Sequence, residues 1–174
     1  MAIEREFLKS AIARFKEYKT LGEKTFVQLN EEQMHFQPNE ASNSIAIIIQ
    51  HLHGNMLSRW TNFLTEDGEK EWRKRDEEFE VQRFSKEKIL NLWNEGWKVF
   101  LDALESLTNE DLLKTITIRT QPLIVIDAIN RQLAHYSYHL GQIVYLGRWM
   151  NDSNWLSLSI PKGNSQTYNE QMKK

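Results

Sequence analysis

The chain has 174 residues, 40% of them hydrophobic and 26% charged, enough for one globular domain with a core that needs no covalent staple. A formal net charge of −2 leaves no basic field to draw in nucleic acid, and the absence of cysteine removes disulfides, thiolate ligands and a protein thiol nucleophile together. The amino end lacks a basic stretch followed by an apolar one, and the longest apolar run, Ile45 to Ile49, is far too short for a bilayer, so a cytoplasmic protein without nucleic-acid or membrane partners is expected.

Seven glycines and three prolines imply few turns, which favours long helices over a many-stranded sandwich. Residues 2–29 place Ile3, Phe7, Leu8, Ala11, Phe15, Tyr18, Leu21 and Phe26 near helical periodicity and predict a first helix. Residues 30–43 read as a connection interrupted by Pro38, after which Ser42 or Asn43 caps a second helix running to about Leu64. Residues 65–84 are dense in charge and show no sustained period. Trp72, Phe79 and Phe84 anchor them as a long ordered loop with room for a short helix, placed to wall or cover a site. Ser85 caps a third helix through about Ser106, a short helical turn follows near Thr108, and the alternating β-branched run Thr115 to Arg119 reads as a brief extended segment. A fourth helix spans residues 123–150 and is apolar nearly all round, which places it centrally or at a dimer interface. The tail, residues 151–174, is polar, but Trp155, Leu156, Leu158, Ile160 and Tyr168 give it a means of docking on a bundle formed by residues 1–150.

Chemistry concentrates on His135 and His139. A four-residue spacing turns a helix through about 400° and stacks the two rings about 6 Å apart, close enough to converge on one ion. The bland reading is two histidines that happen to share a buried helix, each satisfied by its own hydrogen bond. His51 weighs against it, because it follows the apolar segment Ile45 to Gln50 of another helix, where a buried imidazole needs a partner. His53 competes with His51, but two residues rotate a helix by about 200°, so only one of them faces the pair. Bundles build metal sites from such inward-facing side chains. Gln142, three residues beyond His139, and Asn55, four beyond His51, share the faces of the ligands and are placed to bond a ring or a substrate, with plain helix packing as the equal alternative. Tyr138 and Tyr136 flank the pair, where core packing is the ordinary role of an aromatic.

The motif Ser44-Ile45 opening the helix that leads to His51-Leu52, followed by His135-x-x-x-His139-x-Gly141-Gln142, resembles the DinB superfamily, in a branch of uncharacterised DinB-like proteins. The resemblance covers nearly the whole chain. It implies an all-α four-helix bundle of up-down-down-up type and one divalent metal, commonly zinc or nickel, held by His51, His135 and His139. It also implies a homodimer and, in some relatives, transfer of a low-molecular-weight thiol to an electrophile. Three neutral imidazoles leave an ion its full charge and an exchangeable position, as in catalytic zinc sites.

The expected activity is therefore metal-dependent transfer of a small thiol, with metal-dependent hydrolysis and a non-catalytic metal-binding stress-response role as alternatives. Hydrolysis needs a base near metal-bound water, and the histidine helix offers no carboxylate beside the pair. Glu69 and Glu78 of the charged loop are the candidates, against the ordinary reading of such charges as a solvated face. Trp60, Trp72 or Trp155 are expected either in the core or lining a pocket.

Overall fold

The computed structural model describes residues 3–173. Four long helices dominate: α1 (Ile3–Phe26), α3 (Ile45–Trp60), α4 (Lys86–Glu105) and α5 (Val125–Asn151). The caps explain where two of them begin. Ser44 Oγ accepts from Ile47 N at 3.2 Å and Ser85 Oγ from Lys88 N at 3.2 Å, each satisfying a first-turn amide that has no partner within its helix. The cap of α3 is thus Ser44, not the expected Ser42 or Asn43. The helix also stops at Trp60 rather than Leu64, because the chain turns at Asn62 with φ +50, a left-handed conformation that asparagine tolerates.

The packing partners fix the direction of each helix. His53 meets Glu95 and Trp60 meets Phe100, so α3 and α4 run the same way. Phe15 meets Tyr136 and Thr25 lies against Gly147, so α1 and α5 also run together. Phe26 against Trp93 and Phe15 against Phe100 make α1 and α4 antiparallel, while Asn55 with Gln132 and His51 with His139 do the same for α3 and α5. The result is the all-α, up-down-down-up bundle that the DinB resemblance implied.

At its centre Phe100 makes edge contacts with Phe15 at 4.5 Å, Trp60 at 4.8 Å and Tyr136 at 5.1 Å between ring centroids, and Trp97 closes the cluster. Such edge-to-face pairs let the positive rim of one ring meet the negative face of the next.

Parallel neighbours impose a long connection. The chain leaves α3 at one end and must travel back along that 16-residue helix, about 24 Å, before α4 can start beside its beginning. Residues 61–85 make this return as a strap on α3. Gly68 O accepts from Ser58 Oγ at 2.7 Å, and Gln50 Nε2 donates to Glu78 O and Glu80 O at 3.2 Å each. The strap contains one short helical piece, a 3-10 turn at Arg75–Phe79, as the sequence allowed.

Three elements depart from expectation. A short helix, α2 (Glu31–His35), lies inside the supposed connection, started by a reciprocal cap between Asn30 and Gln33. The extended run β1 (Thr115–Ile118) has an antiparallel partner, β2 (Gln121–Ile124), despite Pro122. A two-strand ribbon has free edges, where a missing amide is harmless. Past Asn151, Gln28 exchanges hydrogen bonds with the Leu156 backbone, and a further helix, α6 (Ser165–Gln171), is exposed throughout. The apolar circumference expected of the fourth helix is also interrupted, since Tyr138, Tyr145 and Trp149 form an exposed stripe on α5. No described helix is long and apolar enough to cross a membrane.

Truncating Phe100 to alanine should cost about 3–5 kcal/mol of unfolding free energy in urea titration, because its ring is fully enclosed by other aromatics. A loss under about 1 kcal/mol would mean that the cluster is not the packed centre of the fold.

Candidate metal centre

Three imidazoles from two helices meet between α3 and α5. His135 Nε2 lies 3.2 Å from His51 Nε2 and 3.1 Å from His139 Nε2, and one nitrogen from each ring falls within 4.8 Å of the others. Two metal–nitrogen bonds of about 2.0–2.1 Å meeting at a tetrahedral angle hold their nitrogens about 3.3 Å apart, so the spacing suits one small divalent ion.

The opposite side of each ring is tied down. His51 Nδ1 is 2.9 Å from Glu78 Oε2, His139 Nδ1 is 3.0 Å from Gln142 Oε1, and His135 Nδ1 is 3.1 Å from Gln132 Nε2. A carboxylate and an amide oxygen only accept, so His51 and His139 carry their protons on Nδ1 and turn lone pairs inward. His135 can offer a proton from Nε2 to one of those lone pairs, never to both. A cation held by the three Nε2 atoms would satisfy all three rings at once, provided the His135 proton moved to Nδ1 and the Gln132 amide turned to accept it. Asn55, whose Oδ1 accepts from Gln132 Nε2 at 2.9 Å and Tyr136 Oη at 3.3 Å, would turn with it.

Burial lowers the pKa of His135 to about 3, helped by repulsion from positive charge on His139 and His51. Burial likewise lowers that of His139 to about 4, against the upward pull of its bond to Gln142. Both rings are therefore neutral at physiological pH, the form that ligates metal.

The strap supplies the most developed support. Burial pushes the Glu78 pKa up, but hydrogen bonds from His51 and Arg73, with the charge of Arg73, hold it below the usual carboxylate range. Arg73 grips Glu78 through both oxygens, Nε to Oε1 at 2.7 Å and Nη2 to Oε2 at 2.9 Å, while Phe79 stacks on the His51 ring at 4.8 Å. Gly54, one turn past His51, makes room for this. A Cβ there would stand 2.2 Å from Glu78 Oε1.

The other expected residues are distributed as follows. Tyr138 is exposed, with its ring 5.1 Å from that of His139, and lines with Gln142 and Tyr145 a separate hollow of about 470 Å³. Tyr136 belongs to the core. His53 Nε2 lies 3.1 Å from Glu95 on the far side of α3, and His35 contacts Phe84 O at 2.7 Å. Glu69 sits away from the rings between Arg59 and Arg119. Of the tryptophans, Trp60 is core and Trp72 is exposed. Neither Gln132 nor Gly54 was picked out by sequence. Gln132 had a readable signal, since it precedes His135 by the same three residues by which Gln142 follows His139.

A cavity of about 250 Å³ opens beside His51 and His135, with Asn55 and Gln132 on its wall. A larger hollow of about 550 Å³ between Phe36 and Trp149 contains no comparable cluster of ligating groups, so chemistry and not size marks the site.

A helical bundle of this topology with three histidines converging from α3 and α5 is DinB-like in fold. A DinB-like protein from Bacillus cereus ATCC 10987, known from its crystal structure, superposes with a TM-score of 0.60 at 17% identity, covering 83% of this chain and 91% of that one. The chain belongs to the family described as Protein of unknown function (DUF1572), whose pattern it matches over residues 2–164. No curated protein matches it.

Gly54→Ala, which displaces Glu78, and Glu78→Gln, which removes its charge, should each weaken zinc or nickel binding by about 10–100-fold in competition titration with a chelator. Unchanged affinity in both would show that Glu78 does not support His51. For the metal-free protein, the unfolded chain binds more protons than the folded one between the ordinary histidine pKa of 6.5 and the lowered values of about 3 and 4. Its melting temperature should therefore fall as pH drops from about 6.5 to 4, and less steeply in the His135→Ala, His139→Ala double variant; equal slopes would contradict the assignment.

Proposed function

We propose that the protein is a divalent-metal-dependent transferase that joins a low-molecular-weight thiol to an electrophile, with His51, His135 and His139 as the ligands of a zinc or nickel ion. The observation that carries this reading is the convergence of three imidazole Nε2 atoms whose rings are anchored from behind. Bound there, a divalent ion would lower the pKa of a thiol or water and so supply a nucleophile at neutral pH.

The surroundings favour a thiol over water. A hydrolase benefits from a general base aimed at the water, and among the described residues the cavity beside His51 and His135 is lined by no carboxylate. Glu78 is engaged by His51 and Arg73, and Glu69 by arginines. A thiol, with an ordinary pKa near 8.5, is ionised with far less help. In the transfer the thiol proton leaves to solvent, a sulfur lone pair forms the new carbon–sulfur bond, and the bond from that carbon to the leaving group breaks with its electron pair going to the leaving group, released as chloride from an aryl chloride or kept as the ring oxygen of an epoxide, which then takes a proton from solvent. The chain contributes orientation: Glu78 and Gln142 hold two rings in the required tautomer, and Gln132 with Asn55 borders the space where the reactants meet.

Metal-loaded protein should accelerate loss of an activated aryl chloride or an epoxide only when a small thiol is added, and His135→Ala or His139→Ala should lose most of the bound metal. Turnover unaffected by thiol would indicate hydrolysis instead, no turnover across a broad panel would leave a binding role, and full metal stoichiometry in both variants would refute the ligand assignment.

A further inference from the structure

The cavity beside the rings is notable for its charge. Arg59, Arg73, Arg75, Arg119 and Arg131 all line it, drawn from α3, the strap, the β1–β2 turn and α5. These guanidinium groups stay ionised in proteins, and the carboxylates available to them are few. Glu78 is taken up by Arg73 and His51. Glu69 is shared by Arg59 at 2.9 Å and Arg119 at 2.9 Å. Asp76, at 3.6 Å, is the only carboxylate paired with Arg75 among the described residues. Arg131 forms no ion pair among the described residues and stands one turn before His135 on the same face of α5, in line with the ligand rings.

Arg73 gives the independent sign that something is meant to bind. Its side chain is 2% exposed, and Nε and Nη2 are satisfied by Glu78, yet Nη1 has no hydrogen-bond partner and stands 3.9 Å from Glu69 Oε2, beyond hydrogen-bond reach. A buried guanidinium donor without an acceptor is costly, and buried polar groups in native proteins are otherwise almost always paired. The unpaired edge belongs to a residue on the wall of a cavity that already holds an excess of positive charge. A divalent ion at the three imidazoles would add to that excess, which Glu78 offsets only in part and a bound anion would relieve.

We propose that this cavity is an oxyanion subsite and that the molecule acted on at the metal centre is a small acid, bearing a carboxylate or a phosphate that Arg73 and Arg131 receive. The proposal rests on the same reading of the site and narrows its substrate class. Arginine suits the task because its planar fork presents paired donors to planar oxyanions. Arg73 is held at fixed aim by Glu78, which also positions His51, so the subsite and the ligand ring are set by one carboxylate. Arg119 and Arg75, both exposed, flank the mouth and raise the local concentration of anions.

The test is titration calorimetry of the full chain with succinate and, separately, inorganic phosphate, each in the metal-free and metal-loaded forms. Saturable binding of at least one anion to the metal-free protein is expected, weakening as salt is raised and reduced about tenfold in Arg131→Gln, whose side chain is exposed and free of structural pairing. The anion that binds tells a carboxylate acid from a phosphate ester. Arg73→Lys, which keeps the charge but loses the fork, should weaken binding as well. Binding confined to the metal-loaded form and indifferent to Arg131→Gln would place the anion on the metal and overturn the proposal, as would no saturable binding of either anion. Metal content measured on the same samples separates the two readings. Protein that takes up no metal but binds the anion through Arg131 retains the subsite and loses the metal centre.

Discussion

Two neighbouring helices that run in the same direction cannot be joined by a short turn, and this constraint shapes the site. Because α3 and α4 are parallel, residues 61–85 have to retrace the length of α3, and they do so along that helix, held by Ser58 and Gln50. That path carries Glu78 past His51 and Gly54 and Arg73 to the cavity wall. An antiparallel α4 would need only a few linking residues and would leave His51 without a carboxylate behind it. The topology that closes the bundle thus also supplies the support behind the three-histidine cluster.

The strap is in turn held by a chain of contacts reaching the β1–β2 ribbon. Its turn residues Arg119 and Thr120 take φ +54 and +63, values at which glycine or asparagine is usual. Asp67 of the strap accepts from both backbone amides at 2.8 Å and from Glu69 N at 2.7 Å. Burial works against ionisation of that carboxyl, yet the amides hold its pKa at about 2, so it stays charged. The turn, the strap and the arginines are therefore a single polar assembly on one side of the bundle, separated from the aromatic core by α3 and α5.

Much of this was legible before the structure, for identifiable reasons. Helical periodicity exposed the four long helices, and the His135–His139 spacing with His51 after an apolar run marked the rings, because both signals are local. The role of Glu78 was not legible. In sequence it stood out, with Glu69, only as a candidate base against a solvated face, and its place behind His51 depends on the direction of α4, which no local pattern encodes. The length of that segment was the available hint. The second strand was hidden because Pro122 and the Arg119–Thr120 turn lack strand and hairpin signals, and its stabilising partner, Asp67, is 52 residues from Arg119. Helix α2 was hidden for the opposite reason: its reciprocal cap, Asn30 with Gln33, is local but occupies a single turn, too short for periodicity to register.

The three rings are not equivalent, and the difference bears on what the site can do. Gln132 and Gln142 face His135 and His139 as neutral amides, whereas His51 faces an ionised carboxylate fixed by a buried arginine. A carboxylate behind an imidazole makes the far nitrogen more basic and a stronger donor than an amide does. Its negative charge also offsets part of the field of five nearby guanidinium groups, which would otherwise oppose a cation at the rings. Arg73 moderates the gift, since its fork draws density from the same carboxylate. The balance would make a cation at the rings tolerable in a basic cavity while leaving that cavity positive, a combination that would draw anions toward the rings.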